Sequence, residues 1–286
     1  MAFRGIKDVI DAEINGQVRQ YGWRKTPSQT TTAATWFDLS MSPGNPPPKY
    51  WFDAPPGIAK AVYQSTDGGL YHGANASPST KYLRRFTALT ATATALPLSI
   101  ILCDYLLYYP SMDDSTTDPQ VMDNTVTLPR YTDGAGVQMI VVSVAGRTGG
   151  ANFTISYTNS EGVSGRTSQL VSQNSSAAIG TIVSSWSAFP FSANPFMGLQ
   201  SGDTGVRSVQ SVTMGATDVG LFSIILVKPI ATTLIRGIDA PVEKDFLIQS
   251  EQLPVIQDNA YLSMLCLPQG TLAATALIGD MKVTWD

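Results

Sequence analysis

From about residue 80 onward the chain is a succession of short apolar runs, each closed by a turn signal, with no long helical period between them. Residues 96–109, 137–144, 221–227, 261–267 and 276–285 are apolar on both faces, the pattern of buried strands. Phe153, Ile155 and Tyr157 instead alternate with Thr154, Ser156 and Thr158, the pattern of a strand with one wet face. Asn159-Ser160-Glu161-Gly162 then reads as a four-residue turn, with a return strand expected over 163–170. Asp67-Gly68-Gly69, Asp133-Gly134, Gly149-Gly150 and Ser201-Gly202-Asp203 supply further turns. Many short strands with Gly-rich turns imply an all-β fold, sandwich or jelly-roll-like.

An internal echo runs through this region. Shifted by 69 residues, Gly136-Val137 matches Gly205-Val206, Gly146 matches Gly215, Thr148 matches Thr217, and Phe153 and Ile155 match Phe222 and Ile224. These are six identities in 20 positions, against one or two expected from ordinary residue frequencies. A repeated strand–turn–strand unit suits a β region, 57–286, built from two similar units that divide near 185–200.

The first 56 residues read differently. Ile6, Val9, Ile10, Ile14 and Val18 recur at helical spacing within 3–20, with Lys7, Asp8, Asp11 and Arg19 off that stripe. An amphipathic helix must bury its stripe, either on its own domain or on a neighbouring subunit. Residues 26–56 follow as an arm. Ser42-Pro43-Gly44-Asn45-Pro46-Pro47-Pro48 favours an extended path, because prolines donate no backbone hydrogen bonds. Trp36, Phe37, Tyr50, Trp51 and Phe52 flank it and are the candidate interface residues, expected to anchor an arm that reaches across a subunit boundary.

Composition narrows the partners. Lys and Arg number 18 and Asp and Glu 22, only 14% charged, against about 25% for an average soluble domain. Serine (27) and threonine (29) fill the gap. A net charge of −4 makes direct nucleic-acid binding by counterion release a poor fit. Interspersed charge keeps free-standing domains apart, whereas interface centres are depleted of it. Sparse charge therefore favours a surface covered by neighbours, including copies of the same chain; a secreted β-protein solvated by hydroxyls is the alternative. The first residues lack the continuous apolar core of a signal peptide, and no run reaches the ~20 residues needed to cross a bilayer as a helix.

Motifs for chemistry are sparse. His72 is the one histidine and sits among turn residues, with no GxSxG elbow in the chain. Cys103 and Cys266 lie in separate apolar runs and read as buried thiols; neither belongs to a CxxC or a Cys/His cluster. The acidic stretch 113–123 holds Asp113, Asp114, Asp118 and Asp123 without EF-hand order, so a solvated loop is expected over a calcium site. Asp104, within an apolar run, is the carboxylate most open to perturbation by burial. Asp53 and Glu161 are not singled out by any pairing, and Gly146-Arg147-Thr148-Gly149-Gly150 lacks the lysine and following helix of a phosphate loop. No catalytic, cofactor or metal site is expected.

Several strings carry a resemblance: Trp36-Phe-Asp-Leu-Ser-Met-Ser-Pro-Gly-Asn45, Gln64-Ser-Thr-Asp-Gly-Gly-Leu-Tyr-His-Gly73, Thr117-Asp-Pro-Gln-Val-Met-Asp-Asn124, Leu128-Pro-Arg-Tyr-Thr-Asp-Gly134, Ser201-Gly-Asp-Thr-Gly-Val-Arg-Ser-Val209 and Gly270-Thr-Leu-Ala-Ala-Thr275. Along most of its length the chain resembles a family of virion structural proteins of tailed bacteriophages and prophages. The resemblance implies a capsid-associated role without catalysis, a decoration (cement) protein of the phage head being the expectation. It also implies a location in the virion after synthesis in the host cytoplasm. A major capsid, tail or head–tail component is a second reading within that class. A carbohydrate- or receptor-binding β-module, using the five Trp and 11 Tyr as stacking platforms, is a third.

Overall fold

A computed structural model of the chain describes residues 3–172, 178–183, 194–250 and 252–286. Its first half contains helix α1 (Ile6–Ile14), strands β1 (Val18–Lys25), β2 (Phe37–Asp38), β3 (Gly44–Asn45) and β4 (Lys60–Ala61), helix α2 (Gln64–Asp67), and strands β5 (Lys81–Thr90), β6 (Leu98–Asp113), β7 (Gln120–Val121) and β8 (Gln138–Ser143). There follow β9 (Asn152–Asn159), β10 (Arg166–Thr167), β11 (Val171–Ser172), β12 (Val206–Met214), β13 (Leu221–Ile235), β14 (Val242–Asp245), helix α3 (Phe246–Gln249), β15 (Val255–Ile256), β16 (Tyr261–Pro268) and β17 (Leu277–Trp285). The fold is all-β, as the apolar runs imply.

Three antiparallel sheets share the work. A central sheet has the order β2-β16-β6-β13-β8, with β4 continuing the edge of β6 beyond β16. A first flanking sheet runs β14-β5-β17-β1-β3, and a second runs β10-β9-β12-β7. The long strand β6 explains how one sheet serves two partners. Side chains alternate across a strand, so Leu98, Ile100 and Leu102 share a face and pack into the core beneath the first flanking sheet. A register shift opposite Leu226 and Val227 leaves Leu106 as an extra residue. Beyond it, Leu107, Tyr109 and Met112 pack into a second core with β9 and β12. Between those two cores, Asp104 is fully buried and paired with Arg130, whose Nη2 and Nε donate to its two oxygens at 2.7 and 2.9 Å.

The other face of β6, carrying Ile101, Cys103, Tyr105 and Tyr108, forms a third core. The proline-rich arm covers it. Trp36, Met41 and Trp51 lie in that core, β2 pairs with Leu265 and Cys266 of β16, and Ile182 N–H donates to the Trp36 carbonyl. Lys25 pins the arm's turn: its buried ammonium donates to the carbonyls of Ser42 and Pro46 at 3.0 and 2.9 Å. Both cysteines are free and buried.

The 69-residue echo has a definite place. Its first copy runs from β8 in the central sheet to β9 in the second flanking sheet; its second runs from β12 in that flanking sheet back to β13 in the central one. β8 pairs with β13 and β9 with β12, so the copies embrace each other about a local two-fold. Equivalent residues meet: Phe153 and Phe222 have ring centroids 5.2 Å apart, and Val206 N–H donates to Val137 O. The glycines follow from this approach. A Cβ on Gly205 would fall 2.0 Å from the Gly134 carbonyl oxygen and 2.7 Å from the Gly136 nitrogen. The division expected near 185–200 lies largely outside the described residues.

Three local expectations change. The strand expected to be buried on both faces over 276–285 is β17, whose outer face stays partly open, with Ile278 41% exposed, because Asp280 and Lys282 there pair with Arg85 and Glu13. The helix ends at Ile14 rather than near residue 20, because Gly16 takes φ +81° and Val18 enters β1. The return strand expected over 163–170 is reduced to Arg166–Thr167, because the Asn159 side chain accepts from Glu161 N–H and Val163 N–H and holds the chain in a turn there.

Candidate interface surface

The five candidate aromatics separate into two groups. Trp36, Phe37 and Trp51 are 3%, 1% and 0% exposed and fill the chain's own core, so their rings have nothing left for a partner. Trp51 stacks on Tyr105 at 5.5 Å and meets Tyr108 and Tyr261 edge-on at 5.1 and 5.9 Å. Beneath it lies Asp38, a buried carboxylate that sequence reading passed over. It accepts from Trp51 Nε1 (2.7 Å), Tyr105 OH (2.8 Å), Ser40 N–H (2.9 Å) and the Ser40 hydroxyl. Burial raises the Asp38 carboxyl's pKa, and these donors act against that shift. The only trace in the sequence is the Asp in Trp36-Phe37-Asp38, flanked by apolar residues. Tyr50 and Phe52 remain at the surface, 45% and 46% exposed and 5.4 Å apart. Lys49 and Asp53 beside them form an ion pair at 2.6 Å, and Lys49 also pairs with Asp67 at 2.9 Å.

Helix α1 presents a second surface. Val9 and Ala12 face the sheet and are buried, whereas Ile6, Ile10 and Ile14 are 57%, 46% and 77% exposed. Glu13 holds this orientation. Its two oxygens pair with Arg84 Nε at 3.0 Å and Lys282 Nζ at 2.8 Å, on strands β5 and β17. The helix is thus fastened to its own domain through small and charged residues, and its isoleucine stripe points away. Ile6 and Val9 also line a groove of about 500 Å³ whose opposite wall is Phe246, Leu247 and Leu253, with the 75%-exposed Ile248 nearby on α3.

The titratable groups singled out in the sequence are tied up in structure. His72 is buried; its ring nitrogens contact the Ala260 carbonyl oxygen at 2.9 Å and Lys81 Nζ at 3.1 Å. Burial, reinforced by Lys81, lowers its pKa to about 4. Burial raises that of Asp104 to about 6 despite Arg130. In the acidic stretch, Asp114 pairs with Arg147 at 2.7 Å, while Asp113 and Asp123 cap the N–H groups of Ser115 and Thr125. Among the described residues there is no group of three or more His, Cys, Asp or Glu side chains arranged to hold a metal ion. No described helix is long and apolar enough to cross a membrane.

No family model matches the chain, and no curated protein matches it. Among solved structures, the chain is weakly similar to a mutant VP2 protein of infectious bursal disease virus from derived T=1 particles. The TM-score is 0.20 at 9% identity, over 93% of this chain and 77% of that one. A structure of the Gx strain of the same virus gives 0.18 at 11% identity, over 94% and 80%.

Proposed function

We propose that this chain is a virion structural protein, a capsid decoration subunit that acts by adhesion to its own copies and to neighbouring capsid proteins and catalyses no reaction. The observation that carries this reading is the isoleucine stripe of α1, held outward by the Glu13 ion pairs. The three isoleucines leave roughly 300 Å² of apolar surface, the lower end of the roughly 300–600 Å² spanned by the largest patch on a typical monomer, which is often functional. At about 25 cal/mol/Å², burying two such stripes offsets much of the ~4–15 kcal/mol cost of association. The contact is weak for one pair and strong when multiplied in an array. Sparse charge supports the same reading, since Lys25, Asp38, Asp104, Asp114, Arg130 and Arg147 are buried and thin the surface charge further. The resemblance to phage virion proteins supplies the decoration role.

The occupant of the stripe is a second copy of this chain. An antiparallel pairing of two α1 helices about Ile10 sets Lys7 of each copy only about 3 Å along the axis from Asp11 of the other. Both side chains are exposed, at 83% and 49%, and pair with each other within one helix at 2.5 Å, so the second copy extends an existing pair into a four-charge network. Sedimentation velocity of the purified protein tests this. Wild type is expected to self-associate with concentration, Ile10→Asp to remain monomeric with an unchanged Tm, and Lys7→Asp to be rescued by adding Asp11→Lys. A wild-type protein that stays monomeric at about 100 μM, or an Ile10→Asp variant that associates normally, contradicts the assignment.

A further inference from the structure

A second cavity, of about 410 Å³, lies between the inner face of the first flanking sheet and the loop 71–79. Its wall includes Arg19, Tyr21, His72, Ser79, Lys81 and Trp285, and no carboxylate residue is among those lining it. In a chain with more acidic than basic residues this is an uneven distribution. Neither cation is neutralised by direct contact: among the described residues, no carboxylate oxygen lies within 4.0 Å of Lys81 Nζ or the Arg19 guanidinium.

The two cations are held in place by neutral groups. Lys81, 3% exposed, has its ammonium against His72 Nδ1 at 3.1 Å and donates to the Ala74 carbonyl at 2.7 Å. His72 Nε2 faces the Ala260 carbonyl, which assigns its proton there and leaves Nδ1 as the acceptor for Lys81. Arg19 Nη1 donates to the carbonyls of Gly16 and Val18, and its guanidinium lies 5.6 Å from the centre of the Trp285 ring. Asp258 acts on Lys81 only at longer range, and its own oxygens accept from the Ala76 and Ser77 N–H groups. A buried ammonium with neutral partners is short of negative charge.

We propose that this cavity binds a small ligand bearing an oxyanion, a carboxylate, sulfate or phosphate group, with Lys81 and Arg19 as its cationic contacts and Trp285 and Tyr21 as its apolar wall. The volume suits a molecule of monosaccharide size. Arg19 offers further N–H donors in a planar fork, the geometry oxyanions accept. Ser79 supplies a hydroxyl at the same wall. This site is separate from the α1 stripe, and the monomeric Ile10→Asp variant is expected to retain it, so failure here leaves the assembly reading standing and the reverse also holds.

The test is tryptophan fluorescence titration of the full chain at constant ionic strength, with glucuronate, glucose, inorganic sulfate and inorganic phosphate as probes. A saturable change with glucuronate and none with glucose is the expected result; saturation by sulfate or phosphate at similar concentration shows that the site reads the oxyanion alone. Arg19→Gln and Lys81→Met are expected to weaken binding by at least about tenfold. Arg19 is exposed, so its variant decides the matter if Lys81→Met does not fold. No saturable change with any anion up to about 50 mM, or wild-type affinity in Arg19→Gln, overturns the proposal.

Discussion

Truncating Trp51 to alanine probes the arm directly, because this ring is where the arm joins the third core. The side chain is fully buried, stacked on Tyr105 and flanked by Tyr108 and Tyr261. Removing a buried Trp costs about 3–5 kcal/mol through lost burial and the residual cavity. It also strips Asp38 of its Nε1 donor at 2.7 Å, a loss of about 1–3 kcal/mol for a buried acceptor. The two are not fully additive, so about 4–6 kcal/mol is the working figure. With a urea m-value of about 3 kcal/mol/M for a chain of this size, the midpoint should fall by roughly 1.3–2 M. The neighbouring residue supplies the control. Phe52 is 46% exposed, and Phe52→Ala should stay within about 0.5 kcal/mol of wild type. Trp51→Phe, which keeps a ring and loses the donor, should fall between them. Equilibrium urea unfolding of non-associating protein, in the Ile10→Asp background, reads all three. Equal and small shifts for Trp51→Ala and Phe52→Ala would show that the arm is not part of its own subunit's core.

Two further perturbations test the interior. Asp104→Leu should cost about 3–5 kcal/mol by leaving the Arg130 guanidinium buried without an acceptor, whereas Asp104→Asn, which keeps an acceptor oxygen and does not ionise, should cost less. Burial raises the folded-state pKa of Asp104 above its unfolded value, so its contribution is fully present below about pH 4 and is lost as pH rises through about 6. Urea midpoints measured between pH 4 and 7 should show that decline in wild type and a flatter profile in Asp104→Asn. Gly205→Ala forces a Cβ to 2.0 Å from a backbone oxygen and should destabilise by about 3 kcal/mol or more, whereas Gly146→Ala, with nothing within 4 Å, should be within about 0.5 kcal/mol of wild type. Thermal unfolding separates the pair.

Much of the strand framework is legible from residue order because burial on a sheet has a period of two. Phe153, Ile155 and Tyr157 alternate, and the alternation survives folding unchanged. The runs at 96–109 and 221–227 are apolar on both faces because the sheet that holds them is covered twice, by flanking sheets on one side and by the arm on the other. What covers a surface is not written locally, and that is where sequence reading fell short. Trp36, Phe37 and Trp51 look the same whether the arm lies on its own subunit or on a neighbour; for Trp36 and Trp51 the difference is made by Tyr105, Tyr108 and Tyr261, and for Phe37 by the core beneath the first flanking sheet, all distant in sequence. The period of α1 was visible, but its rotation depends on Glu13 finding Arg84 and Lys282, the latter 269 residues away. The Arg19–Lys81 cavity was invisible for the same reason, since β17 separates the two strands that carry those cations.

A cryo-microscopy reconstruction of purified particles at side-chain detail tests the central claim most directly. The account predicts density for this chain on the particle, with Ile6, Ile10 and Ile14 buried against a second copy and Trp36 and Trp51 inside their own subunit. Particles that lack the chain, or subunits whose isoleucine stripe faces solvent while Trp51 inserts into a neighbour, contradict it.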